Sequence, residues 1–349
     1  MADPGELSGG PGSSPSTDAR DSHSTGAARK PSRTGTRTRT RTALIRFAQA
    51  VITVALLVLL WQAADGANAL EVLLAANPLW LVAALIVLTI HTVLAAERWR
   101  LTAAALGLSL PRWHALREYY LAQLVNSTVP GGVVGDAGRA VRSRGQAGLT
   151  VAAQAVVVER FAGQVAVLAV MVAAITVTSL VPGGLHWPSW MLALAATITA
   201  VLLLALGLLL AAGRLPGRLG ARITELSCTA AIALLGRAVI LRQIALSAGT
   251  TACILAAFAF CTLAVGLSLP IGAILALVPL ILLTTLLPIT ISGWGLREGA
   301  AAALLPLAGA GVTASASLAA SLAFGLVGLI AVLPGAGVVW LSQDRTGKS

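Results

Sequence analysis

The chain has 349 residues, of which 57% are hydrophobic and 11% are charged, and its mean hydropathy is +0.87. A soluble domain carries roughly 25% charged residues, so these values exclude an ordinary soluble protein and predict a polytopic membrane protein. The formal net charge of +11 does not indicate nucleic-acid binding, because the arginines are concentrated in a few segments between apolar ones.

The chain begins with a polar segment, residues 1–41, that is rich in Gly, Ser, Pro, Thr and Arg and ends in RTGTRTRTR. Such a composition cannot bury a core, so we expect a disordered, basic cytoplasmic tail that lies on anionic lipid headgroups. The tail is too long and too polar for a cleaved signal peptide, and we expect the first apolar helix to be retained. The integral membrane domain is predicted at 42–342, followed by a short cytoplasmic tail at 343–349.

Apolar segments follow one another through the rest of the chain and predict an all-α fold of about seven or eight hydrophobic helices. They lie near residues 43–62, 79–96, 150–181, 189–213, 243–266, 271–291, 299–311 and 314–342. Segment 299–311 is short for a full crossing of the bilayer.

The distribution of arginines between these segments predicts the topology. Residues 63–78 and 182–188 lack Lys and Arg, whereas arginines are clustered in 97–149 and 214–242. Positively charged loops stay in the cytoplasm. We therefore expect 97–149, 214–242 and both chain termini on the cytoplasmic side of the membrane.

Residues 112–128 are moderately apolar and helix-like, yet they are followed by Arg139, Arg142 and Arg144. A full crossing would place these arginines outside. We therefore expect 112–128 to enter the membrane, to turn at the glycines of VPGGVVGDAGR (Val129–Arg139) and to return. Irregular backbone at this depth is tolerated only where it is buried in protein or lines a wet cavity.

The pentapeptide GLSLP occurs twice, at Gly107–Pro111 and Gly266–Pro270, 159 residues apart. Each copy precedes a helical segment and then a motif in which Gly follows Pro by five residues and Arg follows it by nine. We define the first break motif as Pro130–Arg139 and the second as Pro288–Arg297. Because the topology places the two pentapeptides on opposite sides, we expect an inverted repeat, an architecture common in secondary transporters.

The inverted arrangement makes the second break motif the turn of another re-entrant hairpin. Its arms would be 271–287 and 299–311, and the short length of the second arm fits this prediction. Two full crossings would leave the C-terminus on the same side, so the charge pattern leaves both alternatives open.

Six ionisable side chains fall at membrane depth, where an unpaired charge costs roughly 2.5–3.5 kcal/mol. They are Asp136, Arg139, Glu159, Arg160, Arg297 and Glu298. Adjacent residues of a helix point about 100° apart, so Glu159 and Arg160 each need a partner from elsewhere. We expect Glu159 to pair with Arg139 or Arg297, and Arg160 to pair with Asp136 or Glu298.

These charges have two interpretations. They are either buried ion pairs that fix the helix register, or they leave at least one arginine for an anionic substrate. Arginine suits a phosphate because its planar fork donates two parallel hydrogen bonds, and glycines let backbone N–H groups and helix N-termini approach the same anion. The predicted residues of such a lipid-phosphate site are Arg139, Arg297, Gly135, Gly138, Gly293 and Gly295.

Several of these stretches occur together in one family. They are ERWR at 97–100, Tyr119-Tyr120, Asn126 with VPGGVVGDAGR, Val158-Glu159-Arg160, and PITISGWGLREG at 288–299. In this order they resemble the membrane domain of lysylphosphatidylglycerol synthases and its stand-alone flippase-like relatives, over about residues 43–342. The resemblance implies a bacterial inner-membrane protein that moves or handles lipids. The chain ends soon after its last helix, so we expect neither the aminoacyl-transferase domain of full-length members nor synthase activity.

The function favoured by these features is translocation or handling of an anionic, phosphate-bearing lipid. Candidate contacts to its head group are Asn126, Tyr119, Tyr120 and Trp294. One alternative is an intramembrane transferase that acts on a lipid-linked donor. Another is an accessory subunit of an enzyme of lipid or cell-envelope glycan synthesis, and this alternative implies a partner enzyme.

An enzyme is the less favoured class. The sequence contains no nucleotide-binding motif of the form GxxxxGK[ST], and its three cysteines show neither metal-ligand spacing nor a disulfide framework. We therefore predict no catalytic residue, no metal and no cofactor. The expected ligands are a phospholipid or a lipid-linked substrate.

Overall fold

The computed structural model describes residues 34–129, 132–145, 147–181, 187–212, 239–287 and 289–337, together with residues 231, 234 and 236. Helices account for all of the regular structure in these residues, and no strand is among them. The chain divides into two units, residues 1–43 and residues 44–349. The predictions for the tail before residue 34, for the C-terminal tail at 343–349, and for Pro130, Gly131 and Pro288 lie outside the described residues.

Eleven α-helices follow one another in the described part of the chain. They are α1 Thr34–Ala63, α2 Gly66–Leu74, α3 Pro78–Ala105, α4 Arg112–Thr128, α5 Val134–Arg142, α6 Gly148–Leu180, α7 Ser189–Ala212, α8 Ile240–Ala264, α9 Ile271–Leu283, α10 Leu296–Leu304 and α11 Ala314–Val332. Short 3₁₀ helices lie at Thr284–Leu286, Ile291–Gly293 and Leu305–Ala308. Helix α1 begins eight residues before the predicted start of the membrane domain, so part of the predicted disordered tail is helical.

Four described helices are long and apolar enough to cross a membrane. They are Pro78–Ala105, Gly148–Leu180, Ile240–Ala264 and Ala314–Gly337. A fifth span results if Phe47–Ala63 and α2, which meet at 90°, are counted together. The prediction of an all-α polytopic membrane protein is confirmed. The described part of the chain has four or five full-length spans, against seven or eight predicted hydrophobic helices. Helices α9 and α10 are too short for a crossing, and α7 contains residues whose side chains lie outside the described ones.

The order of helices is duplicated in two halves, α3–α6 and α8–α11. Each half has a long helix, a GLSLP turn, a shorter helix, a break, a helix of nine residues and a second long helix. The duplication that the pentapeptide predicts therefore extends over about a hundred residues in each half.

The two copies of GLSLP have the same local structure. Gly107 and Gly266 have φ angles of 82° and 79°, a left-handed conformation that only glycine adopts easily. In each copy the next leucine donates a backbone hydrogen bond of 2.9 Å to the helix carbonyl five residues before it. This bond is typical of a glycine C-cap, so each pentapeptide ends a long helix and starts the next one.

The first helices of the two halves, α3 and α8, pack side by side and run antiparallel. The backbone N–H of Asn77, before α3, donates to the carbonyl of Ala264, at the end of α8, at 2.8 Å. At the other end of the pair, Gln243 Nε2 donates to Thr102 Oγ1, also at 2.8 Å. Equivalent helices that run in opposite directions are what an inverted repeat requires.

The first break motif lies between α4 and α5, which form an antiparallel hairpin. Gly135 packs directly against the carbonyl of Ala122, and at the open end Arg142 Nε contacts Glu118 Oε2 at 2.5 Å. The predicted turn and return of this segment is therefore present. The buried glycine allows the two backbones to approach closely, because a side chain there would occupy the place of the Ala122 carbonyl.

The second break motif lies between α9 and α10, and the length of the second arm favours the re-entrant hairpin over two full crossings. The nine residues of α10 at 1.5 Å each span about 13.5 Å, and the 3₁₀ helix Leu305–Ala308 that continues it adds about 8 Å. Together they stay under the roughly 30 Å of the hydrocarbon core. Ser292, Gly293 and Gly295 adopt positive φ angles of 52°, 78° and 87° at the turn. The segment is a hairpin that packs against α9, and its 3₁₀ helix Ile291–Gly293 contacts α4 of the first hairpin.

Candidate functional site

A cavity of about 390 Å³ lies where the two hairpins meet. Both halves of the repeat contribute to its wall. The polar residues that line it are Gln123, Asn126, Ser127, Arg160, Gln164, Thr285, Ser292 and Arg297. The apolar residues include Val167, Leu168, Ile254, Leu282, Leu283, Leu286, Leu329 and Val332. One chamber thus offers two guanidinium groups beside an extensive apolar surface.

The charges of the first half form one buried cluster. Glu159 is fully buried and accepts from Arg98 Nη2 at 2.7 Å and from Arg139 Nη2 at 2.9 Å. Asp136 Oδ1 accepts from Arg139 Nε at 2.9 Å and from Arg160 Nη2 at 3.0 Å. Three guanidinium groups therefore share two carboxylates, which leaves the cluster with one positive charge in excess.

Arg139 is the central cation of this cluster and is completely enclosed. Its side chain has no solvent-exposed surface, and its guanidinium carbon lies 4.7 Å from the ring centroids of both Trp99 and Tyr119. Arginine stacks on aromatic faces in this way when it is desolvated. Arg139 does not line the cavity, and its contacts tie α5 to α3, α4 and α6.

Arg160 is the member of the charged cluster that borders the cavity. Its side chain is 42% exposed and lines the chamber, while Nη2 binds Asp136. Among the described residues, its Nε has no hydrogen-bond partner. Arg160, Gln164, Val167 and Leu168 follow a helical spacing and form the face of α6 that borders the cavity.

Arg297 is the cation that the second half contributes. Its Nη2 and Nε both donate to Glu298 Oε1, and Nε also contacts Ser321 Oγ at 3.2 Å. The guanidinium lies 5.0 Å from the Trp294 ring centroid and 5.5 Å from that of Phe324. Nη1 makes no hydrogen bond to any described residue, and the residue borders the cavity.

Several uncharged polar groups complete the wall of the chamber. Gln164 and Ser292 have no side-chain hydrogen-bond partner within the described ranges, and Gln123 Oε1 accepts from Thr92 Oγ1 at 3.1 Å, which leaves its amide NH₂ available. Carboxylates are absent from the described lining residues. The chamber is therefore equipped to bind an anion that also offers groups for hydrogen bonding.

A comparison with protein families gives one match. The family model described as the lysylphosphatidylglycerol synthase TM region matches residues 46–335. The chain belongs to this family. Comparison with curated proteins finds no match. The resemblance predicted from the sequence is confirmed, and the membership indicates a multi-pass membrane protein that handles lipids.

The predicted charge pairs can be compared with the observed ones. Glu159 pairs with Arg139 rather than with Arg297, and Arg160 pairs with Asp136 rather than with Glu298. In both cases one of the two predicted alternatives is present. Glu298 instead pairs with its neighbour Arg297. Adjacent residues can do this here because they lie in the first turn of α10, where the chain enters the helix from an irregular segment.

Two of the glycines predicted to offer N–H groups to an anion use them within the protein. Gly135 N–H donates to Asn126 Oδ1 at 2.8 Å, and Gly295 N–H donates to Glu298 Oε2 at 2.7 Å. Gly138 lies inside α5. Gly293 packs against Thr285. In the structure these glycines permit sharp turns and close packing, and none of them lines the cavity.

Two of the four residues predicted to contact the head group line the cavity, and two do not. Asn126 and Trp294 line the cavity, although Asn126 Nδ2 also donates to Asp136 Oδ2 at 3.1 Å. Tyr119 and Tyr120 are buried away from it. The hydroxyl of Tyr119 donates to Glu159 Oε1 at 3.4 Å, so this residue supports the ion cluster.

The sequence did not predict that Arg98 belongs to the buried cluster. The topology argument placed it among the cytoplasmic arginines, but its side chain is buried and also donates to Thr250 Oγ1 at 2.9 Å. Gln164 was missed as well. An amide one helical turn after Arg160, in the apolar part of the helix, is the signal that would have identified it.

Proposed function

We propose that the protein moves a phosphate-bearing anionic lipid across the bilayer, with the phosphate held between Arg160 and Arg297. One observation carries this proposal: guanidinium groups from two inverted halves line a single chamber whose described wall contains no carboxylate. A guanidinium donates paired hydrogen bonds to phosphate oxygens. An anion in this chamber would also balance the excess positive charge of the first half's cluster.

The apolar part of the wall supports a lipid rather than a soluble anion. Leu282, Leu283 and Leu286 of the second half border the chamber together with Leu329 and Val332 of α11. Acyl chains can remain against such a surface while the head group lies near the arginines. A free phosphate ion would leave this surface without a matching ligand.

The inverted repeat provides a route for movement. Each hairpin enters from a different end of the α3–α8 pair, so rocking one half against the other would open the chamber toward alternate sides. We propose that the protein resides in the bacterial inner membrane with both termini in the cytoplasm. The transferase and accessory-subunit alternatives have no comparable observation in their favour.

The experiment is lipid movement in proteoliposomes. Phosphatidylglycerol labelled on its acyl chain with a nitrobenzoxadiazole group is included in both leaflets, and dithionite reduces the label that reaches the outside. We expect the protein to expose label beyond the outer-leaflet pool. Arg160→Ala and Arg297→Ala each lower the rate about tenfold or more, because a hydrogen bond to a charged group contributes about 1.5–3 kcal/mol.

Arg112→Ala is the matched control, because the side chain of Arg112 is 80% exposed and lies away from the cavity. Its rate is expected to equal that of the unaltered protein. Unchanged rates in both cavity variants would refute the proposal. A chemically altered lipid without movement across the bilayer would favour a transferase, and activity only with a second protein would favour an accessory subunit.

A further inference from the structure

We infer that the chamber selects lipids whose head group, beyond the phosphate, is uncharged and rich in hydroxyl groups, and that it rejects head groups bearing an ammonium. The inference rests on the proposed function and specifies its substrate class. Glycerol, inositol and sugar head groups belong to the accepted class. Ethanolamine, serine and aminoacyl head groups belong to the rejected one.

The acidic groups next to the chamber are not available to an ammonium. Asp136, Glu159 and Glu298 are close to its wall but do not line it. Both oxygens of each carboxylate already accept hydrogen bonds. An ammonium group that entered would meet two guanidinium groups and, among the described residues of the wall, no carboxylate. Like charges at close range repel, and a buried unpaired charge is costly.

The aromatic side chains of the chamber already contact a cation of the protein. An ammonium can be held without a carboxylate by the faces of aromatic rings. In this chamber Trp294 and Phe324 are the described aromatic residues of the wall, and the guanidinium of Arg297 already lies over both rings. These rings therefore already stabilise the protein's own cation, and an ammonium bound to the same rings would lie close to that guanidinium.

The uncharged polar groups of the chamber match the hydrogen-bonding pattern of a hydroxyl. The Gln164 amide and the Ser292 hydroxyl, which have no partner in the described structure, each offer a donor and an acceptor. The Gln123 amide adds donors. A hydroxyl group also donates and accepts, so a glycerol, inositol or sugar satisfies these groups where an ammonium, which only donates, does not.

The inference excludes the lipid in the family's name, lysylphosphatidylglycerol, as a substrate of this chain, because a lysyl group carries ammonium charges. The volume of about 390 Å³ lies within the range of roughly 300–1,000 Å³ that is usual for small-molecule sites. A phosphate with a glycerol or cyclic polyol fits a chamber of this size.

The experiment compares four lipids with identical labelled acyl chains in the same proteoliposomes. Phosphatidylglycerol, phosphatidylinositol and phosphatidylserine have the same net charge, but only the last of these carries an ammonium; lysylphosphatidylglycerol is the fourth. We expect the first two to move at least about tenfold faster than the other two. The comparison of glycerol with inositol shows which polyhydroxyl head group is preferred.

A variant tests whether the missing carboxylate sets this preference. Gln164→Glu places a carboxylate one helical turn from Arg160 at nearly unchanged volume. We expect this substitution to lower the rate of phosphatidylglycerol movement. The ratio of the phosphatidylglycerol rate to the phosphatidylserine rate should fall at least about threefold. Gln154→Glu makes the same change on the same helix away from the cavity and is expected to leave the ratio unchanged.

The outcomes separate the two proposals. Equal rates for all four lipids, or faster movement of the two ammonium lipids, would overturn the inference and leave the proposed function intact. Movement of none of the four would overturn both. An unchanged ratio in Gln164→Glu would show that the cavity charge does not select the head group.

Discussion

Arg139 and Arg160 both bind Asp136 Oδ1, yet they differ in what they can do. Arg139 is enclosed between two rings and two carboxylates, and its surroundings fit a role in holding helices together. Arg160 has nearly half of its side chain exposed to the chamber. Of the two interpretations that the sequence left open, ion pairing describes Arg139, while anion binding is our proposal for Arg160.

The sequence predicted Arg139 and Arg297 as equivalent because each follows a proline by nine residues. The structure places Arg139 at the sixth position of α5 and Arg297 at the second position of α10. Helix α5 starts four residues after Pro130, whereas α10 starts eight residues after Pro288. The two arginines, each nine residues after its proline, therefore lie at different positions of their helices. A residue count cannot detect this difference, because it depends on where the irregular backbone ends.

Gly325 gives a test of the position of Arg297 that leaves both charges in place. A Cβ atom at residue 325 would lie 2.2 Å from Arg297 Nη2 and 2.8 Å from Cη2 of Trp294. We expect Gly325→Ala to displace the guanidinium and to lower phosphatidylglycerol movement about tenfold, which is the effect expected for Arg297→Ala. The measurement is the dithionite assay, with detergent size-exclusion profiles to confirm folding.

Gly337→Ala is the matched control for this prediction. It lies at the end of the same membrane-spanning helix, Ala314–Gly337, outside the cavity wall, and its added Cβ atom meets no neighbour within 4 Å. We expect an unaltered rate. Equal effects of the two substitutions would mean that the position of Arg297 is unimportant.

At the scale of the elements, the two short helices share a feature that the sequence did not reveal. Asp136 and Glu298 are each the third residue of a nine-residue helix. A carboxylate in the first turn is favourable because it faces the positive end of the helix dipole. In each half the same carboxylate also binds an arginine, so the break motif both turns the chain and fixes its cation.

The packing of the first hairpin depends on Gly135. A Cβ atom there would lie 2.1 Å from the carbonyl oxygen of Ala122. We expect Gly135→Ala to lower the free energy of unfolding by about 1–3 kcal/mol, the usual cost of overpacking, or to prevent folding. The measurement is SDS-induced unfolding in mixed micelles.

Gly138→Ala provides the comparison, because the nearest atom to its added Cβ is the end of the flexible Arg142 side chain at 2.8 Å. Alanine is also favoured over glycine inside a helix, by about 0.5–1 kcal/mol. We expect little loss or a small gain in stability. A similar loss in both variants would contradict the close approach of α4 and α5.

Sequence patterns predicted the breaks in the helices better than the bend near the N-terminus. Prolines and glycines mark both hairpins, and their effect on the backbone is local. The 90° bend between α1 and α2 occurs at Asp65, a non-glycine residue with a φ angle of 51°. Its side chain caps α2 by accepting from Asn68 N–H at 3.4 Å. The predicted apolar segment ended at residue 62, so the hydropathy pattern placed a break here, but it indicated neither helix α2 nor the 90° angle between the two helices.

At the scale of the whole molecule, the inverted repeat was predictable because it leaves a duplicated sequence and an asymmetric charge distribution. The composition of the chamber was not predictable, because it depends on which side chains of six α-helices and of the two breaks between them converge. Arg98 illustrates the limit. Its place in the arginine-rich segment 97–149 suggested the cytoplasm, but its side chain is buried against Glu159, which lies 61 residues further along the chain. Pairing across the fold, rather than local sequence, decides its position.

The antiparallel arrangement of α3 and α8 predicts that the two pentapeptides face opposite sides of the membrane. Ser109 and Ser268 are the exposed serines of the two copies. In a variant without native cysteines, we expect Ser268→Cys to react with a membrane-impermeant maleimide in intact cells. Ser109→Cys should react only after permeabilisation. Labelling of both from the same side would refute the inverted topology.

The central claim is that Arg160 and Arg297 hold a lipid phosphate inside the chamber between the two hairpins. A cryo-electron microscopy structure in nanodiscs of phosphatidylglycerol tests it most directly. We predict head-group density in the chamber, with phosphate oxygens within about 3 Å of guanidinium nitrogens of Arg160 and Arg297. A chamber filled by protein side chains, with lipid density only on the outer surface of the helices, would contradict the account.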